Sequence, residues 1–304
     1  MHDIIVVGGG PAGMTAALYA LRNGKSVLVI EKNGFGGQVT LSPKIENYPG
    51  MTQVSGMELA DHMMDQIIAQ GADIEIENVT GVSPDGAHMV VSTEEGTTHE
   101  AQAVILATGV KHRMLGLPGE DDLVGDGISF CAVCDGDFYA DKVVCVAGGG
   151  NSALQEAVLL AEKCKEVIML QDLEFFTGEA TLQDILFSRP NVRAITNTAI
   201  KALHSGADGL EGVEIADRTT GETQRIDCDG LFVAIGLIPE NEPFAVLADL
   251  NEYGYFAADE ACATKTPGLF VAGDCRAKAI RQITTATADG AVAALAACRY
   301  INAR

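Results

Sequence analysis

Positive charge is scarce in this sequence: 20 lysines and arginines stand against 42 aspartates and glutamates, for a formal net charge of −22 at pH 7. Such a field repels a phosphate backbone, and no cluster of basic residues offsets it, so nucleic acid is excluded as a main partner. Long hydrophobic runs are missing too. The longest uncharged apolar stretches, such as residues 230–239, fall far short of the ~18 residues a spanning helix needs, so no membrane span is expected. No basic region followed by an apolar stretch precedes the strand-like run that begins at Asp3, and a cytoplasmic location is expected. Tryptophan is absent and aromatics reach only 5%, yet 47% of residues are hydrophobic and 20% charged, a balance that excludes disorder. Low-complexity segments and solenoid repeats are also lacking.

Glycine is plentiful, with 34 in 304 residues, so many positions need positive φ or close backbone approach. The length suits two domains. From Asp3 an unalternating apolar run leads into Gly8-Gly9-Gly10-Pro11-Ala12-Gly13, then an Ala/Leu-rich helical stretch from Met14 to Asn23, then a second apolar run from Ser26 to Ile30. This is strand, turn, helix, strand, with a strand buried on both faces of a parallel sheet. Gly8, Gly10 and Gly13 fit G-x-G-x-x-G, where glycines let the backbone approach a pyrophosphate at the positive end of a helix. Glu31 ends the next strand and is placed to accept hydrogen bonds from both ribose hydroxyls while disfavouring a 2′-phosphate. The ligand should be FAD or NAD.

The pattern returns 140 residues later. Lys142 to Ala147 reads as a strand before Gly148-Gly149-Gly150-Asn151-Ser152-Ala153, with a helical stretch from Leu154 to Lys163 and a strand from Glu166 to Leu170. The fold class is therefore α/β, with two Rossmann-like dinucleotide-binding domains, the second inserted into the first. Apolar strands ending in Gly109 and Gly236, each followed by a proline (Pro118, Pro239), mark the crossings. The expected boundaries are 1–114 with 243–304 for the first domain and 115–242 for the second.

Eight cysteines are present, and only Cys131 and Cys134 are close enough to form a motif. No second C-x-x-C or Cys/His pair completes a zinc site, and His62, His88, His99 and His204 lack metal spacing, so no metal is expected. A C-x-x-C closes a reversible disulfide, and at a helix start the dipole favours the reactive thiolate. Asp135, beside the pair, is a candidate to pass a proton to or from a thiol or flavin; its bland reading is a helix cap or exposed turn acid. Cys275 reads as a packing thiol, the methionines at 57, 63 and 64 as a packed helix face, and Lys111-His112-Arg113 as a solvated turn.

A dinucleotide turn, a C-x-x-C and a second dinucleotide turn in this order resemble the low-molecular-weight thioredoxin reductases, which are FAD-containing disulfide oxidoreductases. The resemblance spans almost the whole chain and is carried further by Gly36-Gly37-Gln38, Glu46-Asn47-Tyr48-Pro49-Gly50, Ala107-Thr108-Gly109, Cys131-Ala-Val-Cys-Asp-Gly136, Gly273-Asp274 and Arg281-Gln282-Ile283. It implies that FAD is held by Gly8, Gly10, Pro11, Ala12, Gly13, Glu31, Lys32, Gly37, Gln38, Asn47, Thr108, Gly109, Gly273, Asp274, Arg281, Gln282 and Ile283, with Asp274 on the ribityl or phosphate linker. It also implies that Cys134 faces the flavin, that Cys131 attacks the disulfide of a thioredoxin-like partner, that the middle domain swings between these tasks on hinges at 116–119 and 236–242, and that the chain forms a homodimer.

The second turn departs from the NADPH-dependent members of that family. Gly148, Gly150 and Ala153 are kept, so a dinucleotide can still sit there. The family's His-Arg-Arg-x-x-x-Arg-Ala pattern, which clamps a 2′-phosphate, is replaced by residues 171–178, with Asp172, Leu173 and Thr177 at the arginine positions. An anion beside a phosphate repels it, so NADPH use is expected to be poor. Two donors remain: NADH, with Asp172 on its ribose hydroxyls, or a ferredoxin-type protein, as in relatives that lack the arginine pattern. Ferredoxins are acidic, and Arg276, Lys278 and Arg281 form the compact basic candidate. The alternative activity is a dithiol oxidase that closes disulfides on a small metabolite and passes electrons to oxygen.

Overall fold

The computed structural model describes residues 1–42, 45–207 and 209–304. The chain divides into two compact units, Met1–Lys111 with Ile238–Arg304, and His112–Leu237. The crossings thus fall three and five residues earlier than the sequence expectation. The prolines that marked them lie beyond the two short strands Lys111–His112 and Leu237–Ile238, which pair with each other at the crossings.

In chain order the first unit opens with β1 (His2–Val7), α1 (Pro11–Arg22), β2 (Val27–Glu31), α2 (Gly56–Ala69), β3 (Asp73–Ile76), β4 (Val79–Asp85), β5 (His88–Thr93) and β6 (Thr98–Leu106). The crossing strand β7 (Lys111–His112) follows. Then come α3 (Glu120–Leu123), β8 (Ile128–Ser129), α4 (Ala132–Asp135), β9 (Val143–Ala147), α5 (Asn151–Leu160), β10 (Glu166–Leu170), α6 (Ala180–Phe187), β11 (Val192–Ile195), β12 (Thr198–Gly206), β13 (Gly209–Asp217), β14 (Thr223–Asp227) and β15 (Gly230–Val233). The return strand β16 (Leu237–Ile238) leads to β17 (Leu269–Val271) and α7 (Ile283–Asn302), which complete the first unit.

The first sheet runs β3-β2-β1-β6-β5-β4. Strands β3, β2, β1 and β6 are parallel, and β6 divides its free edge: Thr98–Ala101 pairs antiparallel with β5, while Val104–Leu106 pairs parallel with β17. The unalternating run in β1 has the cause anticipated for it. Ile4 and Val6 pack with α1 and α7 on one face, and Ile5 and Val7 pack with Phe244 and Phe256 on the other. The Ala-rich faces of α1 and α7 cross closely, since a methyl at Gly290 would lie 2.2 Å from the Ala12 carbonyl oxygen.

The second unit has a fully parallel sheet, β11-β10-β9-β15-β8, and a separate antiparallel sheet, β12-β13-β14. Both units are Rossmann-like α/β folds, and the second interrupts the first in sequence.

Candidate functional site

In the first unit the carboxyl ends of β1, β2, β6 and β17 bring together Gly8, Glu31, Thr108 and Gly273, the crevice where open parallel sheets bind ligands. Gly8 has φ +109°, and a methyl there would lie 2.3 Å from the Ala107 carbonyl oxygen; a methyl at Gly13 would lie 1.9 Å from that of Gly8. These two glycines close the turn. Gly10 differs, for the nearest atom to a methyl there is the Gly36 carbonyl oxygen at 4.0 Å. No side chain caps α1, so its first N–H groups are left for a ligand. Glu31, 9% exposed, accepts from the Gly9 N–H at 2.6 Å through one oxygen and from the Asn33 N–H at 3.1 Å through the other. Gly37 follows Gly36, whose N–H donates to the Gly9 carbonyl at 2.9 Å, and Gln38 stands exposed in that same turn. Lys32 is drawn aside into an ion pair with Glu240, which also holds Lys111 at 2.8 Å.

The far wall is built by β17 and the start of α7. Asp274 Oδ1 is buried without a hydrogen-bond partner, the nearest cation being Lys278 Nζ at 3.4 Å. Burial pushes its carboxyl up, against the pull of Lys278 and Arg281. Arg281 donates to the Asp274 carbonyl at 3.3 Å and lies over the Tyr255 ring at 4.1 Å. Gln282 caps α7 in a reciprocal pair with Thr285, and Asn47 reaches its side-chain oxygen at 3.3 Å, while Ile283 opens the helix. A flavin dinucleotide fits these residues: an uncapped helix start, open space over Gly10, and a buried carboxylate oxygen in want of a donor. It would be held by the two glycine segments, Glu31, Thr108, Gly109 and Asp274.

Residues outside the motifs support this wall. Asn241, fully buried, accepts from the Thr108 hydroxyl at 2.9 Å and donates to the carbonyls of Gly254 and Cys275 at 2.9 and 3.0 Å. Asp289 accepts from the Gly273 N–H at 3.1 Å, from Arg276 at 2.9 Å and from Lys278 at 3.1 Å. Burial raises the Asp289 carboxyl, but its bonds to Arg276 and Lys278 outweigh burial and hold it low. The side chains of Arg276 and Lys278 are 9% and 10% exposed. The basic patch expected at Arg276, Lys278 and Arg281 is therefore an internal brace, because buried Asp289 and the Tyr255 ring take up the cations. Cys275 is a fully buried thiol, as its bland reading had it.

In the second unit Cys131 and Cys134 form a disulfide. It follows β8, at the carboxyl end of the sheet that also carries the second glycine turn. Cys131 caps α4, its sulfur accepting from the Cys134 N–H at 3.2 Å. Asp135 is not an exposed turn acid: it ends α4 at 9% exposure and accepts from the Ser129 hydroxyl at 2.6 Å. Its second oxygen is buried without a partner, and burial raises its carboxyl despite the Ser129 bond. Glu156 on α5 accepts from the Ala132 N–H, and burial pushes its carboxyl up to about 7.

The second turn repeats the first. Gly148 has φ +127°, with a methyl there 2.4 Å from the Ala234 carbonyl oxygen; Gly150 starts α5 without a side-chain cap, and Ala153 is buried. At the place of Glu31 stands Gln171, buried against Gly149 and donating to the Phe175 carbonyl at 3.0 Å. Asp172 is exposed and pairs with Arg218 at 3.4 Å. Leu173 is exposed, and Thr177 donates to the Gly149 carbonyl. Met57 and His112 depart from the sequence expectation. Met57 is exposed, because it faces away from the core that takes Met63 and Met64, and His112 is stacked on Phe130 at 4.4 Å, where burial lowers it to about 4.

Residues 2–290 match the family described as pyridine nucleotide-disulphide oxidoreductase. The chain is 39% identical over 302 residues to the thioredoxin reductase of Treponema pallidum, covering 99% of this chain and 97% of that protein, and 37% identical to that of Bacillus subtilis, covering 99% and 95%. The crystal structure of a thioredoxin reductase from Streptococcus pyogenes superposes with a TM-score of 0.94 at 36% identity, over 100% of this chain and 99% of that one. The fold and site define a flavoprotein oxidoreductase acting on sulfur groups. The chain belongs to the low-molecular-weight thioredoxin reductases within the pyridine nucleotide-disulphide oxidoreductase family.

Proposed function

We propose that this enzyme, as a cytoplasmic homodimer, reduces a thioredoxin-like protein with electrons that do not come from NADPH. The flavin, when bound, carries two electrons from the donor to the Cys131–Cys134 disulfide. In the opened dithiol, Cys131 as thiolate attacks the partner's disulfide, and Cys134 then displaces the reduced partner from the mixed disulfide. Asp135 is the nearby acid: burial keeps its carboxyl protonated to higher pH than usual, which suits it to supply a proton to a leaving thiolate.

The observation that carries the donor reading is the stretch Asp172–Thr177. It holds no cation, and the guanidinium beside it, Arg218, is paired with Asp172. A 2′-phosphate would meet a carboxylate where an NADPH site needs charge-assisted donors at ~1.5–3 kcal/mol each. A ferredoxin-type protein is the first donor to test, because Gln171 stands where Glu31 holds the first turn, leaving the second turn without that acid. NADH is the second, favoured by the exposed carboxylate of Asp172.

Anaerobic titration of the FAD-loaded protein tests this directly. Bleaching of the flavin band by reduced ferredoxin or by NADH, with little by NADPH, is expected; prompt stoichiometric bleaching by NADPH would refute it. Cys131→Ser and Cys134→Ser are each expected to abolish thioredoxin reduction. Rapid oxygen consumption with a small dithiol, without thioredoxin turnover, would point to the oxidase.

A further inference from the structure

The C-x-x-C helix has only four residues, and its opening N–H groups cannot be satisfied within it. The Cys131 N–H goes to the Ser129 hydroxyl at 3.2 Å, and the Cys134 N–H goes to the Cys131 sulfur and carbonyl, each at 3.2 Å. The Ala132 N–H goes to a side chain of another helix, the carboxylate of Glu156 in the middle of α5. That carboxylate is bound to the peptide adjoining Cys131, at the end of the helix where a negative sulfur would otherwise be favoured.

We infer that Glu156 is a positioning residue for the redox pair: it fixes the Cys131 end of α4 to α5, and its negative charge there disfavours the Cys131 thiolate. The inference rests on the reading of Cys131–Cys134 as the exchanging disulfide. Opening the pair breaks the Sγ–Sγ bond and takes two electrons and two protons, giving two thiols. Loss of the Cys131 proton then gives the nucleophile. A carboxylate on the peptide next to Cys131 makes the second step harder, and a protonated one does not. Because burial brings Glu156 to about 7, its charge changes within the working range of pH.

Of the other groups on the packed elements, Asp135 acts on Glu156 directly, its charge adding to the rise that burial causes. Asp135 lies at the opposite end of α4, bonded to Ser129, and Tyr139 follows on the next turn, pushed up to about 12 by burial and by Asp135. Asp137 pairs with Lys163, and Glu166 on β10 pairs with Arg193. Asp184 on α6 is exposed, and Cys145 on β9 belongs to the core on the other face of the sheet.

The test is the pH profile of Cys131 alkylation by iodoacetamide, read by peptide mass spectrometry on the FAD-loaded protein after reduction with dithiothreitol. It requires neither the physiological donor nor thioredoxin, so a failure of the donor reading leaves it intact, and Cys131→Ser supplies the blank. The wild-type profile should rise in two steps, one near pH 7. Glu156→Gln keeps an acceptor for the Ala132 N–H but removes the charge, so its profile should become single-step and move down by roughly half to one pH unit. A single-step wild-type profile would overturn the inference even if the variant did not fold. A folded Glu156→Gln whose profile superposes on that of the wild type would also overturn it.

Discussion

Asn241 offers the sharpest test of how the first unit holds its ligand motif. It lies four residues past the return crossing, and its side chain joins Thr108, Gly254 and Cys275. Replacing it with alanine removes three hydrogen bonds. The Cys275 carbonyl keeps the Phe256 N–H at 3.0 Å, and the Thr108 hydroxyl can rotate, but among the described residues no backbone N–H bonds the Gly254 carbonyl. Three bonds at a net ~0.5–1.5 kcal/mol, with a carbonyl losing its partner, give a cost of about 2–4 kcal/mol. Urea unfolding followed by flavin fluorescence reads the transition that releases FAD, and its midpoint should fall with the slope unchanged. Thr108 loses its anchor, so the purified variant should also carry less FAD. A loss below about 1 kcal/mol, with full FAD content, would refute the view that this amide braces the site.

The triple change Asp172→Arg, Leu173→Arg, Thr177→Arg should tighten NADPH binding by about two orders of magnitude in calorimetry, since each new charge-assisted bond outweighs the ordering of one side chain; unchanged affinity would remove the second turn from nucleotide binding altogether. Gly10→Ala should leave the thermal transition nearly unchanged but empty the protein of FAD, whereas Gly13→Ala should lower both, because only Gly13 has a carbonyl oxygen in the way. His112, lowered to about 4 by burial, is kept neutral by folding, so its contribution is present above its unfolded value of about 6.5 and is lost as pH falls toward 4. Glu156 and Asp135 act oppositely, favouring the fold at the acid end. The unfolding free energy of the wild type from urea titration should therefore fall by roughly 2 kcal/mol relative to that of His112→Phe between pH 7 and pH 4.5, and a constant difference would show that folding does not depress the His112 pKa.

Much of this molecule was legible where a residue type is sterically forced. Gly8 and Gly148 have positive φ and lie against the carbonyl of the neighbouring strand, and that necessity shows in one sequence without coordinates. The apolar runs of β1 and β9 likewise announce strands covered on both faces. What was illegible depends on partners brought from afar. Asn241 reaches back 133 residues to Thr108, and Glu156 reaches 24 residues to Ala132. Nothing local distinguishes either from an ordinary polar residue. Arg276 and Lys278 were read as surface because clustered cations usually are solvated, and only the fold reveals Asp289 beneath them. The same gap explains the boundaries, since proline marks a break in hydrogen bonding and not the last residue of a folding unit.

The split of the first unit across the chain has a consequence for biosynthesis. Helix α1 packs its alanine face on α7, and β6 waits for β17. On the ribosome, some 190 residues separate the end of the first segment from the end of the second, roughly 10–40 s at ~5–20 residues per second. The middle unit is one continuous segment and is complete in that interval, while β1, β2 and α1 stand with a bare apolar face. A nascent chain stalled once residues 112–237 have cleared the ribosomal exit tunnel, but before α7 has, would therefore hold one finished unit and one chaperone client, and limited proteolysis of such a stalled chain should spare residues 112–237.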